Sequence, residues 1–122
     1  MWDVEYTDQF DDWYQTLTAE DQDAVIARVE LLELAGPGLG RPAVDNVRQS
    51  RHPNMKELRV ERAMRVLFAF DPRRAAILLI GGDKSPEDPR SANWNDWYDR
   101  YTPIADDLYD THLDELRQEG LT

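Results

Sequence analysis

Three apolar segments separated by short polar turns constrain the fold of this chain more than any other feature of its sequence. They span residues 56–60, 64–70 and 75–81. Because parallel neighbours need a long crossover, connections of this length join antiparallel strands. The segments therefore predict a β-meander, in which the unbroken apolar run at 75–80 is the most buried strand.

In the N-terminal third, the sequence predicts one strand followed by two helices. Residues 2–6 (WDVEY) alternate aromatic or β-branched residues with acids, which is the period of a half-buried strand. Thr7 or Asp8 can cap a helix that runs to about Leu17, and Thr18 can cap a second one. Glycine and proline at 36–38 end that second helix, so the pattern predicts a helical hairpin.

The remaining segments complete an α+β domain. Residues 36–55 are rich in Gly, Pro, Asn and Arg and predict a long loop, whereas the apolar spacing from residue 93 onward predicts a helix. Pro103 kinks or breaks that helix, and in the second case Thr102 caps a new one. The predicted order is β-α-α-β-β-β-α, with the N-terminal helical hairpin packed on a largely antiparallel sheet.

Length and composition narrow the class of protein. A chain of 122 residues with 41% hydrophobic residues predicts a single globular domain over 1–122. Without cysteine there is no disulfide framework, thiolate metal cluster or cysteine nucleophile. Neither a signal peptide nor an apolar run of about 20 residues is present, so we expect a cytoplasmic protein.

Charge is distributed unevenly along the chain. The formal net charge is −11, yet residues 40–90 contain eleven Lys or Arg against seven acids. That middle segment therefore carries +4 and the two flanks together carry −15. A site for a polyanion, if the chain has one, lies in the middle segment.

Sequence motifs within this middle segment carry a family resemblance. In order, they are 55–59 (MKELR), 64–70 (MRVLFAF) and 75–84 (AAILLIGGDK). This succession of an ELR strand, a strand that opens with RV and an apolar strand leading into a lysine resembles the RelE/HigB-like toxins of bacterial type II toxin–antitoxin modules. The tail at 93–98 (NWNDWY) and 104–109 (IADDLY) is similar to the phage-derived HigB-like branch.

The resemblance implies a fold and an activity. Such toxins are small endoribonucleases that cut mRNA, often on the ribosome, without a metal or other cofactor. The implied partners are mRNA and a cognate antitoxin, which we expect to be a helix-turn-helix DNA-binding protein, and no membrane is involved. Two histidines sixty residues apart, His52 and His112, also do not suggest a metal site.

Five residues are candidates for catalysis. Attack of a ribose 2′-hydroxyl on the neighbouring phosphate needs fixed cations and groups that move protons. Arg59 and Arg65 flank a short turn and can bracket one phosphate if they share a face of the sheet. Lys84 is a third cation or a proton donor, and its two preceding glycines would let the backbone approach a ligand. The candidate bases are Lys56 and His52.

Other basic and aromatic residues are candidates for binding RNA. We expect contacts to RNA from four arginines of the middle segment: Arg41, Arg48, Arg51 and Arg62. Trp94, Trp97 and Tyr98 can stack on bases or, as aromatics at helical spacing, can belong to the core.

Three functions remain open on the sequence. The first is an mRNA-cleaving toxin. The second is a catalytically silent member of the fold that binds an antitoxin or regulates its own operon, in which case Arg59 simply pairs with Glu57 or Glu61. The third is a ParE-like toxin, which would act on DNA gyrase through its C-terminal segment and would not need the Arg59, Arg65 and Lys84 cluster.

Overall fold

A computed structural model describes residues 1–85 and 95–121 as a five-stranded sheet with helices on both faces. The sheet order is β1-β5-β4-β3-β2. The strands are β1 (Val4–Tyr6), β2 (Val44–Asn46), β3 (Lys56–Arg59), β4 (Met64–Phe70) and β5 (Ala76–Asp83). The helices are α1 (Asp8–Gln15), α2 (Ala19–Ala35) and α3 (Asn95–Gln118), with a 3-10 turn at Gly36–Gly38. The predicted α+β class is confirmed.

The central meander has the predicted antiparallel connections. β3 pairs with β4, and β4 pairs with β5. Leu79 is an extra residue in β5, because the register shifts between Leu67 and Phe68 of β4. Near the β3–β4 turn the register places Arg59 opposite Arg65, and Arg65 opposite Gly82.

Both edge strands depend on pairing between distant segments. β2 lies within the predicted loop and pairs antiparallel with β3, where Val44 faces Leu58. β1 pairs with β5 in parallel, and this is the parallel pair in an otherwise antiparallel sheet. The alternation over residues 2–6 predicts β1, whereas β2 is missed because residues 44–46 (VDN) lie in a segment without such alternation.

Two apolar cores lie on opposite faces of the sheet. The helical hairpin covers the face that carries Val66 and Phe68. α3 covers the opposite face, which carries Leu67 and Ile77. The hairpin contributes Phe10, Val25 and Leu32 to the first core, and α3 contributes Trp97, Ala105 and Tyr109 to the second.

Both predicted threonine caps are present in the helical hairpin. The Thr7 hydroxyl accepts from the Phe10 amide at 3.0 Å, and the Thr18 hydroxyl accepts from the Asp21 amide at 3.2 Å. These bonds satisfy amide groups that have no partner within the first turn of a helix. The cap residues therefore fix where α1 and α2 begin.

Of the two alternatives predicted at Pro103, a kink or a break, the break is wrong, because α3 continues through this residue. Pro103 is exposed, whereas its neighbours Thr102, Ala105 and Asp106 are buried against the sheet. Packing of that buried side outweighs the hydrogen bond that a proline removes, and water can satisfy the carbonyl on the exposed side. Of the helices in the described ranges, none is long and apolar enough to cross a membrane.

Candidate active site

The candidate site begins with two arginines on adjacent strands. Arg59 on β3 and Arg65 on β4 are direct cross-strand partners. Residues directly opposite each other in an antiparallel pair project from the same face of a sheet. The register thus meets the condition on which the sequence-based hypothesis depends, and both arginines lie on the face that α3 covers.

Arg65 is turned toward the protein backbone. Its side chain is buried, and Nη1 donates to the carbonyls of Met64 at 2.8 Å and Arg62 at 3.1 Å. A longer bond of 3.4 Å reaches the Val60 carbonyl. This guanidinium therefore stabilises the β3–β4 turn. The sequence predicts an exposed Arg65 that binds phosphate, and the structure instead buries it against the backbone.

Arg59 is held between two carboxylates. Its Nε donates to Glu57 at 3.1 Å, and its Nη2 donates to Asp45 on β2 at 3.1 Å. Asp45 also pairs with Arg41 at 2.9 Å, and the Arg41 bond lowers the pKa of that carboxyl. About a third of the Arg59 side chain, 35%, remains exposed, so it is the accessible cation of the strand pair.

A buried carboxylate lies at the centre of the site. Glu57 is almost completely buried, and its second oxygen accepts a hydrogen bond from the Tyr98 hydroxyl on α3. Burial raises the pKa of the Tyr98 phenol, and the bond to Glu57 raises it further. The phenol therefore stays protonated and donates to the carboxylate, while Arg59 binds the other oxygen.

Lys84 reaches the same place from the end of β5. Its backbone amide donates to the Ala63 carbonyl at 2.9 Å, which anchors the lysine beside the β3–β4 turn. The Nζ atom lies 5.5 Å from the centre of the Tyr98 ring, in a cation–π arrangement. Burial lowers the pKa of Lys84, and the nearby charge of Arg65 lowers it further.

The two glycines before Lys84 make room for tryptophan rings. A Cβ on Gly81 would come within 2.2 Å of Trp13 on α1, and a Cβ on Gly82 would come within 2.7 Å of Trp97 on α3. Their role is therefore to let helices pack closely on both faces of β5. The sequence suggests that these glycines let the backbone approach a ligand. In the structure, the tryptophan rings occupy that space.

Neither of the two candidate bases is part of this cluster. Lys56 lies opposite Phe68 on the face that carries the first core, and its Nζ donates to Asn46 at 2.9 Å. His52 is bound through Nε2 to Asp110 on α3 at 2.8 Å and packs edge-on against Tyr109. The structure therefore brings Arg59, Arg65 and Lys84 together and separates Lys56 and His52 from them.

The four arginines predicted to bind RNA are all exposed, but their surroundings differ. Arg41 shares Asp45 with Arg59, so it borders the site. Arg51 binds Asp107 and Asp110 on α3, which compensates its charge. Arg62 lies in the turn itself with a left-handed backbone (φ 60°), and Arg48 is exposed on the loop before β3.

The aromatic residues predicted to stack on bases also differ in their surroundings. Trp97 is buried in the second core and stacks on Tyr101 at a centroid distance of 4.8 Å. Tyr98 is half-buried and faces Glu57, as described above. Trp94 lies outside the described residues.

Glu57 and Asp45 are not among the site residues that the sequence predicts. The signal for Glu57 is its spacing of two residues from Arg59 on one strand, which puts both on the same face. No comparable signal marks Tyr98, because its contact with Glu57 depends on how α3 packs. In the two described ranges, no group of three or more His, Cys, Asp or Glu side chains is placed to hold a metal ion.

Comparison with known proteins identifies the family. Residues 12–110 match the family described as phage-derived protein Gp49-like. The chain belongs to this family. A putative toxin, HigB3 of Mycobacterium tuberculosis, is 48% identical over 99 residues, covering 80% of this chain and 82% of the relative. HigB2 of the same organism is 45% identical over 105 residues, which is 83% of this chain and about half (49%) of that longer protein.

Solved structures of toxins share the fold of this chain. The isolated RelE toxin of E. coli matches with a TM-score of 0.59 at 11% identity, covering 82% of this chain and 98% of RelE. A chain of the RelB–RelE antitoxin–toxin complex of Methanococcus jannaschii matches with a TM-score of 0.55 at 9% identity, covering 66% of this chain and 91% of that one. This HigB-like chain therefore has the RelE fold.

Proposed function

We propose that the protein is the toxin of a toxin–antitoxin module and that it cleaves mRNA without a metal at the site formed by Glu57, Arg59, Lys84 and Tyr98. One observation carries the proposal: a buried carboxylate and a lysine with a lowered pKa meet at the same phenol ring, beside an accessible arginine. Kinship with the HigB toxins supports it.

The reaction we propose is an internal transfer at phosphorus. Water accepts the proton of the ribose 2′-hydroxyl, because both oxygens of the buried Glu57 are already bound and this carboxylate orients Arg59. The 2′-oxygen attacks the adjacent phosphorus to form a 2′,3′-cyclic phosphate. The bond from phosphorus to the 5′-oxygen breaks, and that oxygen takes a proton from Lys84. Arg59 stabilises the additional negative charge of the transition state, and Tyr98 holds the carboxylate in position.

Lys84 sets the alkaline limit in this scheme. The lysine must be protonated to donate, so cleavage falls as the pH rises through its pKa, which burial places below the usual value for lysine. Lys84→Arg keeps the cation but holds its proton more firmly, and we expect it to lose cleavage at every pH while it retains RNA binding.

The partners of the proposed reaction are mRNA, free or on the ribosome, and an antitoxin. Arg41 borders the site, and Arg48 is exposed on the loop before β3; both supply sequence-independent contacts to phosphates in this proposal. The similarity to the putative HigB toxins supports an antitoxin partner. We expect it to be a helix-turn-helix protein encoded beside the toxin gene.

The decisive experiment compares two lysines that belong to the same sheet. Lys84→Met removes the proposed proton donor, and we expect single-turnover cleavage of a model mRNA, measured with and without ribosomes, to fall about 100-fold or more. Lys56→Met removes the same charge from the opposite face of the sheet and should change cleavage less than about threefold. Thermal melts of both variants confirm that each is folded. Equal losses would exclude a localised active site.

A catalytically silent, antitoxin-binding protein is the second candidate. It is favoured by the two carboxylates, Glu57 and Asp45, that already neutralise Arg59. The same experiment separates the two functions, because a silent protein leaves mRNA intact in its unmodified form and does not arrest growth when it is expressed alone.

A further inference from the structure

An apolar cleft opens where the helical hairpin meets the sheet. Its volume is about 420 Å³, and α1, α2, β1 and β5 all contribute to its lining. Tyr6 is 63% exposed and Ile26 is 43% exposed, and both line this cleft. Apolar surface therefore remains there that a ligand with an apolar body can remove from water.

Three aromatic rings of the lining contact one another. The ring centroids of Tyr6 and Phe10 are 5.9 Å apart, and those of Phe10 and Tyr14 are 6.1 Å apart. Phe10 is buried at the base of this group, whereas the rings of Tyr6 and Tyr14 are partly accessible. Because the face of an aromatic ring carries partial negative charge, this wall attracts a cation as well as an apolar group.

Carboxylates lie on two sides of the same cleft. Asp11 belongs to α1, and Glu30 and Glu33 belong to α2. Asp11 accepts a hydrogen bond from Gln15 at 3.1 Å, but within the described part of the chain none of the three carboxylates forms an ion pair. Among the described residues that line the cleft, none is Lys, Arg or His. The charge of the cleft thus favours a cation and repels a phosphate.

The kind of cation follows from the rest of the lining. No group of three or more His, Cys, Asp or Glu side chains in residues 1–85 and 95–121 is placed to hold a metal ion. A bare metal ion would also leave the apolar surface of Tyr6 and Ile26 in water. An organic cation with a methylene chain matches both the aromatic wall and the carboxylates.

We propose that this cleft binds a linear aliphatic amine that carries two or more ammonium groups. Its methylene chain packs on the apolar lining, and its ammonium groups bind Asp11 on one side and Glu30 and Glu33 on the other. The cleft lies on the hairpin face of the sheet, whereas Glu57 and Tyr98 meet on the face that α3 covers. The amine site is therefore separate from the proposed RNA site and does not depend on cleavage.

Three probes test the chemistry on the full-length protein. Hexane-diamine has two ammonium groups on a methylene chain, hexane-diol has the chain without charge, and Mg²⁺ has the charge without the chain. At physiological salt we expect the diamine to bind about tenfold more tightly than either of the others, with saturable shifts of the amide signals of Phe10 and Val29. A diamine no tighter than Mg²⁺ would indicate counter-ion attraction to an acidic protein and would overturn the proposal. Equal binding of diamine and diol would do the same.

Two matched pairs of substitutions on α2 test the location. Glu30→Gln should weaken diamine binding about fivefold, whereas Glu20→Gln should leave it unchanged, because Glu20 is exposed but does not line the cleft. Ile26→Ser should also weaken binding about fivefold, and Leu31→Ser should not, since Leu31 is similarly exposed (40%) outside the cleft. Thermal melts confirm that each variant is folded. Equal effects within either pair would place binding elsewhere and overturn the proposal.

Discussion

At the scale of single residues, the guanidinium of Arg65 stabilises the β3–β4 turn, whose backbone conformation is unfavourable by itself. Three carbonyls around the β3–β4 turn bind its Nη1, and the turn contains Arg62 in the left-handed region, which costs free energy for any residue with a side chain. Arg65 thus lies behind the proposed site, while Arg59 and Lys84 lie at its surface.

We therefore predict that Arg65→Met lowers the free energy of unfolding by about 2–3 kcal/mol, because buried carbonyls lose a charged donor. Urea denaturation measures the change. Arg48→Met is the control, since Arg48 is exposed, and it should change the free energy by less than about 0.5 kcal/mol. An Arg65 variant as stable as the unmodified protein would show that the turn does not need these bonds.

At the scale of elements, β5 is the strand on which both helical layers meet. Gly81 admits Trp13 from α1 on one face, and Gly82 admits Trp97 from α3 on the other. Trp97 precedes Tyr98 and packs edge-on against it at a centroid distance of 5.2 Å. The packing of Trp97 on Gly82 consequently helps to position Tyr98 next to Glu57.

Substitution of the two glycines should separate stability from activity. We expect Gly81→Ala and Gly82→Ala each to destabilise the protein by about 1–3 kcal/mol, because the added methyl group displaces a tryptophan ring. Gly82→Ala should in addition reduce RNA cleavage at a temperature where both variants are fully folded. Cleavage lost to the same extent in both variants would argue that Trp97 does not position Tyr98.

At the scale of the whole molecule, the acidic flanks fold back onto the basic middle segment. Arg51 binds Asp107 and Asp110 of α3. Arg73 binds Asp71 and also Glu5 of β1, 68 residues away in sequence. The uneven charge along the sequence is therefore partly cancelled in space, and ion pairs connect the two ends of the chain to the meander.

Asp71 is the most buried acid in these contacts and should dominate the response to acid. Burial opposes its ionisation, but bonds from His112, Arg73 and the Ala75 amide outweigh burial and lower the pKa of Asp71 from its ordinary value. A carboxyl with a lowered pKa stabilises the folded state above its unfolded pKa, and this stabilisation is lost as the pH falls through the folded value. The protein should therefore lose stability below about pH 4.

We expect Asp71→Asn to cost about 3 kcal/mol near pH 7, because it leaves Arg73 and His112 without the buried carboxylate. The variant should also lose less stability than the unmodified protein between about pH 4 and pH 2. Chemical denaturation at several pH values measures both effects. Asp114→Asn removes one partner of an exposed ion pair with Arg117 and serves as the control, with an expected change below about 1 kcal/mol.

The features that the sequence determined by itself are local ones. The caps at Thr7 and Thr18 follow from single hydroxyls next to helical patterns. The antiparallel meander follows from apolar runs joined by turns too short for any other connection. Such features depend on residues within a few positions of one another, so they can be read from the chain without knowledge of its distant contacts.

The candidate site depends instead on tertiary structure. Tyr98 meets Glu57 across 41 residues because α3 packs on the face of the sheet that carries Glu57, Arg59 and Arg65. The same packing buries Arg65, while the alternation of β3 sends Lys56 to the opposite face. Strand pairing and helix docking decide which side chains share a face and how much water reaches them, and no local pattern contains that information.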